Sequence, residues 1–145
     1  MGTSFTSYND KHIRSKDYKI EVWLLLLCKE IGEMSNAPEW LEKAKTYWFE
    51  HAKDHVNGVM DPCLDEFITD NSKLQLFLEL CKKVYSSLLG FGEKISADYI
   101  NNLYGYEKTF DYRIREDNLT ELYLSYGRFL IKLLEGKQEN EVESV

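Results

Sequence analysis

Apolar residues recur at three- and four-residue intervals along most of the chain, which is the period of helices that bury one face. Tyr18, Val22, Leu25 and Ile31 begin such a stripe, and Trp23 with Leu24 to Leu27 widens it almost to a full circle. The pattern predicts a helix from about Asp17 to Glu33 that lies at the centre of the fold. Met34-Ser35-Asn36 reads as a loop, and Asn36, Pro38, Glu39 and Glu42 mark the start of a second helix. Its stripe runs through Trp40, Leu41, Ala44, Tyr47, Trp48, His51, Ala52 and His55 to a stop at Asn57-Gly58. A short helix is expected from Pro62 to Ile68, with Asp61 as its cap. Asp70 or Asn71 then caps a long helix reaching Leu89, and Ser96 caps a two-turn helix over Ala97 to Tyr104. Asn118 and Glu121 have capping-box spacing before a last helix with an apolar stripe from Leu119 to Leu134.

Tyr106 to Asp117 breaks the pattern. Phe110, Tyr112 and Ile114 alternate with Asp111, Arg113 and Arg115, a strand period with no evident partner strand. An extended loop is favoured over a short hairpin with part of the N-terminus. The expected fold is therefore all-α: a single-domain bundle of about four long and two short helices over residues 17–135. Residues 1–16 form an N-terminal arm, and the acidic tail 136–145 is expected to be disordered.

Composition supports helix, since 19 Leu outnumber eight Ile and six Val. At 145 residues, the chain suits one domain. Its 25 acidic and 18 basic residues leave a net charge of −7, which argues against general nucleic-acid or anionic-membrane binding. The longest apolar run, Val22 to Cys28, is too short to span a bilayer, and the N-terminus shows no apolar signal core. The cytoplasm is the default location. Cys28, Cys63 and Cys81 are odd in number and lack a CxxC, so neither a disulfide framework nor a zinc knuckle is indicated.

The chain carries little catalytic equipment. It has no nucleophile elbow, phosphate-cradling loop or dinucleotide fingerprint. His51 and His55 are four apart and share a helix face, as a metal pair requires, but Ala52 stands where the zinc-protease motif needs Glu. They are read first as packing histidines, and no cofactor is expected. Two other features remain. Asp54, Asp61, Asp65, Glu66 and Asp70 cluster between the second and fourth helices, and some of them serve as caps. Tyr104, Tyr106 and Tyr112 interleave with Glu107 and Asp111 outside the long helices. Carboxylates steer basic partners, and Tyr offers contact area at low entropic cost. The ten residues together define a candidate surface for a basic protein.

Two stretches, DYKIEVWLLLLCKEI (Asp17–Ile31) and LTELYLSYGRFLIKLLEG (Leu119–Gly136), resemble the all-helical bacterial immunity proteins of contact-dependent toxin systems, as does the acidic, Tyr-rich character. The resemblance implies a protein-binding inhibitor, not an enzyme, that neutralises a basic, nuclease-type toxin domain as a monomer or weak dimer. The alternatives are a helical structural or regulatory interaction module and a small metal-dependent enzyme using His51 and His55.

Overall fold

A computed structural model describes residues 2–54 and 58–145. Among them are six α-helices and five short strands, so the all-α expectation is corrected to a mixed fold. The strands lie where the sequence pattern is least hydrophobic.

The N-terminal arm is a β-hairpin, with β1 over Thr3–Tyr8 and β2 over Lys11–Lys16. The strands are antiparallel, from Thr3 opposite Lys16 to Tyr8 opposite Lys11. Asn9 and Asp10 form the two-residue turn with φ of 51° and 66°, a left-handed conformation that short polar side chains tolerate. The inward positions are Ser4, Thr6, Ile13 and Ser15. Three of these four carry hydroxyls, so the period of two never registers as hydrophobic alternation. The acidic tail is also ordered. Val142–Ser144 form β5, parallel to β2, with His12 opposite Val142. The sheet order is β1-β2-β5. Gln138 is buried and donates from Nε2 to the carbonyls of His12 (3.0 Å) and Asn140 (2.9 Å), and Val145 N–H donates to Arg14 O at 2.9 Å. Backbone and amide hydrogen bonds hold the tail, and they leave no hydrophobic trace in the sequence.

Helix α1 (Asp17–Gly32) is central, as its encircling apolar pattern predicts. Every residue from Leu24 to Leu27 is at most 5% exposed. α2 (Glu39–Asp54) lies along it and buries the narrow stripe Leu41, Ala44, Trp48 and Ala52. The one-turn α3 (Leu64–Phe67) leads to α4 (Asn71–Gly90), capped by Asp70, whose Oδ1 accepts from Lys73 N–H at 2.9 Å. β3 (Lys94–Ile95) precedes α5 (Ala97–Leu103), where Ser96 Oγ accepts from Tyr99 N–H. Asn118–Leu119 form β4, antiparallel to β3, so Asn118 does not cap the last helix. α6 (Glu121–Leu134) follows Thr120, which makes no side-chain cap bond; Asn118 Oδ1 accepts instead from Tyr123 OH at 3.1 Å.

The stretch from Tyr106 to Asp117 contains a 3-10 turn at Thr109–Asp111 and is otherwise irregular. Buried Asn101 anchors it. Its Oδ1 accepts from the N–H groups of Arg113 (2.8 Å) and Ile114 (3.1 Å), and its Nδ2 donates to Ile114 O. One amide side chain thus replaces the strand partner that the alternating pattern lacks.

α6 crosses α1 at Gly127. A Cβ there would lie 2.4 Å from Trp23 Cζ2 and 3.1 Å from Tyr85 Cδ2. The indole is fully buried, and its Nε1 donates to Tyr123 O at 2.8 Å, so it cannot retreat cheaply. Gly127→Ala gains about 1 kcal/mol of helix propensity but overpacks this contact by about 2–3 kcal/mol. A net loss of stability is expected in urea unfolding. Removing residues 137–145 deletes β5 and the Gln138 bonds, and should lower unfolding free energy by about 1–3 kcal/mol. An unchanged midpoint would mean that the tail contributes nothing.

Candidate functional site

The predicted acidic residues are spread over the last turn of α2 (Asp54), the loop after it (Asp61), α3 (Asp65 and Glu66) and the cap of α4 (Asp70). His51 stacks on Tyr47 with ring centroids 5.1 Å apart, and its Nε2 accepts the N–H of Asp61 at 2.8 Å. Trp48 Nε1 donates to Pro62 O at 2.7 Å. These two bonds from one helix face fix the course of residues 61–63. Asp61 Oδ1 accepts from Cys63 N–H at 2.9 Å, a local turn that accompanies the left-handed Cys63 (φ 53°). Asp65 Oδ1 accepts from Asn9 N–H at 3.0 Å, which ties the hairpin tip to this rim.

Asp54, Asp61, Asp65, Glu66 and Asp70 are all exposed. Among the described residues none of the five forms an ion pair with Lys or Arg, whereas Glu33, Glu39, Glu42, Glu121 and Glu135 all do. The N–H bonds to Asp61, Asp65 and Asp70 use one acceptor site each and leave the charge in place. The hydrogen bonds of Asp70 to Lys73 N–H and Ser72 hold its carboxyl below the usual range.

His51 is engaged in holding residue 61. The nitrogen of His51 that a metal would need is already an acceptor for Asp61 N–H. His55, the other half of the expected pair, lies outside the described residues. Among the described residues, no group of three or more His, Cys, Asp or Glu side chains could hold a metal ion. Cys63 Sγ lies 3.2 Å from Tyr47 OH, and burial with the nearby Asp61 and Glu66 pushes its thiol up, away from a nucleophilic thiolate.

The Tyr-rich segment divides. Tyr104 is fully buried and belongs to the core rather than to a partner surface. Its OH donates to Glu21 Oε1 at 2.9 Å, and burial, followed by the Glu21 charge, raises its pKa. Tyr106 stacks on Tyr104 at 5.5 Å and 7° between planes, with its other surroundings including Lys53 Nζ, 5.8 Å from the ring centroid. Tyr112 is half-buried and bonds to Asp98, while Glu107 and Asp111 are exposed. The acidic loop and Tyr106 therefore touch the same end of α2, through His51 on one flank and Lys53 on the other.

Two features are not visible in the sequence pattern. Glu21 is fully buried in α1, between Tyr104 and Arg113, whose Nη2 is 3.1 Å from Glu21 Oε2. Its apolar neighbours in sequence conceal a charge that pins the 104–114 segment to the core. The second is a groove of about 680 Å³ between α1, α2 and α5. Only the shortness of α5 hinted at it. Among the described residues, no helix is long and apolar enough to cross a membrane.

Comparison with known protein families, curated proteins and solved structures found no match to this chain.

The ion pair has a measurable consequence. Arg113→Ala leaves Glu21 buried with one positive partner fewer and should cost about 2–4 kcal/mol in chemical unfolding. Adding Glu21→Gln removes the uncompensated charge, so the double variant should lose less than the sum of the singles, by about 1–3 kcal/mol. Additive losses would show that the pair does not hold the segment.

Proposed function

We propose that this chain is a protein-binding inhibitor that docks on a basic protein domain, with a nuclease-type toxin as the class of partner, and that it acts in the cytoplasm as a monomer or weak dimer. One observation carries the reading: five exposed carboxylates, on the last turn of α2, the loop after it, α3 and the cap of α4, form no ion pair with Lys or Arg among the described residues. Such a surface raises the local concentration of cations and orients a basic partner during encounter. A nuclease binds a polyanion, and a row of carboxylates offers its cationic site the same charge. Trp48, Tyr47 and His51 hold the loop, so little ordering cost falls on binding. Tyr106, braced by Tyr104, supplies an aromatic contact on the opposite flank. The resemblance to all-helical immunity proteins does not extend to the architecture, because both chain termini here are in a β-sheet. The proposal rests on the surface and not on that likeness.

Among the described residues the Asp54 and Glu66 side chains make no hydrogen bond, which makes them the cleanest probes. With a basic partner captured by the intact chain at low salt, Asp54→Lys/Glu66→Lys should slow association about tenfold and change dissociation little. Stopped-flow mixing at two ionic strengths measures both. An association rate unchanged at low salt would reduce the acidic rim to solvated surface and sink the proposal.

A further inference from the structure

We propose that the groove between α1, α2 and α5 is a binding site for a small amphipathic anion, a hydrophobic carboxylate. The groove exists because α5 has only seven residues, about 10 Å of helix, and covers only part of α1. Leu25 and Cys28 of α1 and Leu103 of α5 form its floor, and Phe49 of α2 forms one wall. Leu25 and Cys28 are 2% and 8% exposed, so the floor is narrow and recessed rather than a flat apolar face. The volume, about 680 Å³, falls within the range of small-ligand sites.

Charge selects the ligand. Lys29 and Lys45 flank the apolar floor from α1 and α2, against a single lining carboxylate, Glu50. A third lysine, Lys53, sits with Nζ 5.4 Å from the Phe49 ring centroid. Lys53 lies beside the groove and is not part of its lining. Lys29 and Lys45 pair with Glu33 and Glu42 within their own helices, at 2.6 Å and 3.5 Å. Solvent-accessible pairs of that kind contribute little and exchange readily for another carboxylate. Cys28 donates from Sγ to Lys45 O, and burial pushes its thiol up to about 12, so the floor stays neutral beneath the cations. An apolar body can lie on Phe49, Tyr99 and Leu103 while its carboxylate meets Lys29 and Lys45. A partner protein or second copy could supply apolar side chains, but the recessed floor and cationic rim fit a single small anion better. The groove is lined by none of the five exposed carboxylates, so this site and the proposed docking rim stand or fall separately.

Isothermal titration with decanoate and with decanol, on the intact chain, tests the assignment. Decanoate should bind saturably at one to one, and decanol about tenfold more weakly. Lys29→Glu/Lys45→Glu, both on exposed or half-exposed positions, should abolish that preference and leave decanol binding in place. Thr46→Trp, which fills the mouth from an exposed position on α2, should remove both, with circular dichroism confirming the fold. Absence of saturable decanoate binding would overturn the proposal. Equal affinity for the two probes would do the same, as would binding that Thr46→Trp leaves intact. Sedimentation of the ligand-free chain supplies the remaining arm: a dimer dispersed by Thr46→Trp would make a second copy the occupant and overturn the small-anion assignment.

Discussion

Helix α1 exposes apolar side chains in every direction, and nearly every other element is a cover for one of its sides. At about 25 cal/mol per Å² of apolar surface removed from water, this burial is the main force that assembles the fold. α2, α4 and α6 cover α1 along long stripes, α5 covers a shorter length, and the hairpin closes over its start. α6 approaches so closely that only Gly fits opposite Trp23. The remaining gap, beside short α5, is the groove.

Burying one helix on all sides also buries polar groups, and these do the positioning. Asp17, at the positive end of α1, accepts from Ser4 Oγ at 2.5 Å and from Gly58 N–H at 2.8 Å. Ser4 Oγ in turn accepts from Met60 N–H at 2.9 Å. Thr6 Oγ1 and Tyr126 OH are 2.7 Å apart. One carboxylate and three hydroxyls thus join the hairpin, the first turn of α1, the loop after α2 and α6. Asn101 and Glu21 do the equivalent work for residues 104–114. Unsatisfied, each of these groups would cost on the order of 1–3 kcal/mol, so each has a single acceptable arrangement.

This division places the two candidate surfaces. Trp48 and His51 hold residues 61 and 62 against α2, and the side chains of Asp54, Asp61, Asp65, Glu66 and Asp70 are exposed. The groove lies on the opposite flank of the same helix, where Phe49 and Lys45 face α5. α2 is amphipathic with a narrow buried stripe, so it can present two different exposed flanks. One is the acidic flank proposed to meet a basic protein; the other is the groove proposed to take a small anion.

Periodicity was enough for the helices. The stripes in α1, α2, α4 and α6, and the caps Ser96 and Asp70, were all readable because each depends on residues within a few positions of one another. The run of five carboxylates within 17 residues was also plain, but not its spread: Asp61 lies beside His51 near the end of α2, while Lys73, one turn beyond Asp70, reaches Trp40 near its start. The strands were not, because their inward side chains are hydroxyls and their partners lie far off in sequence, with His12 meeting Val142. Nor was the fate of the tyrosines. Tyr104 and Tyr106 are two residues apart, yet one is core and the other forms a surface, since only the distant Glu21 decides which phenol is drawn inside. The chain's local pattern determined which segments would be helices and where charge would collect. The tertiary structure alone decided which polar groups pair across the fold, and therefore how the termini are held, which rings remain outside and where a gap is left.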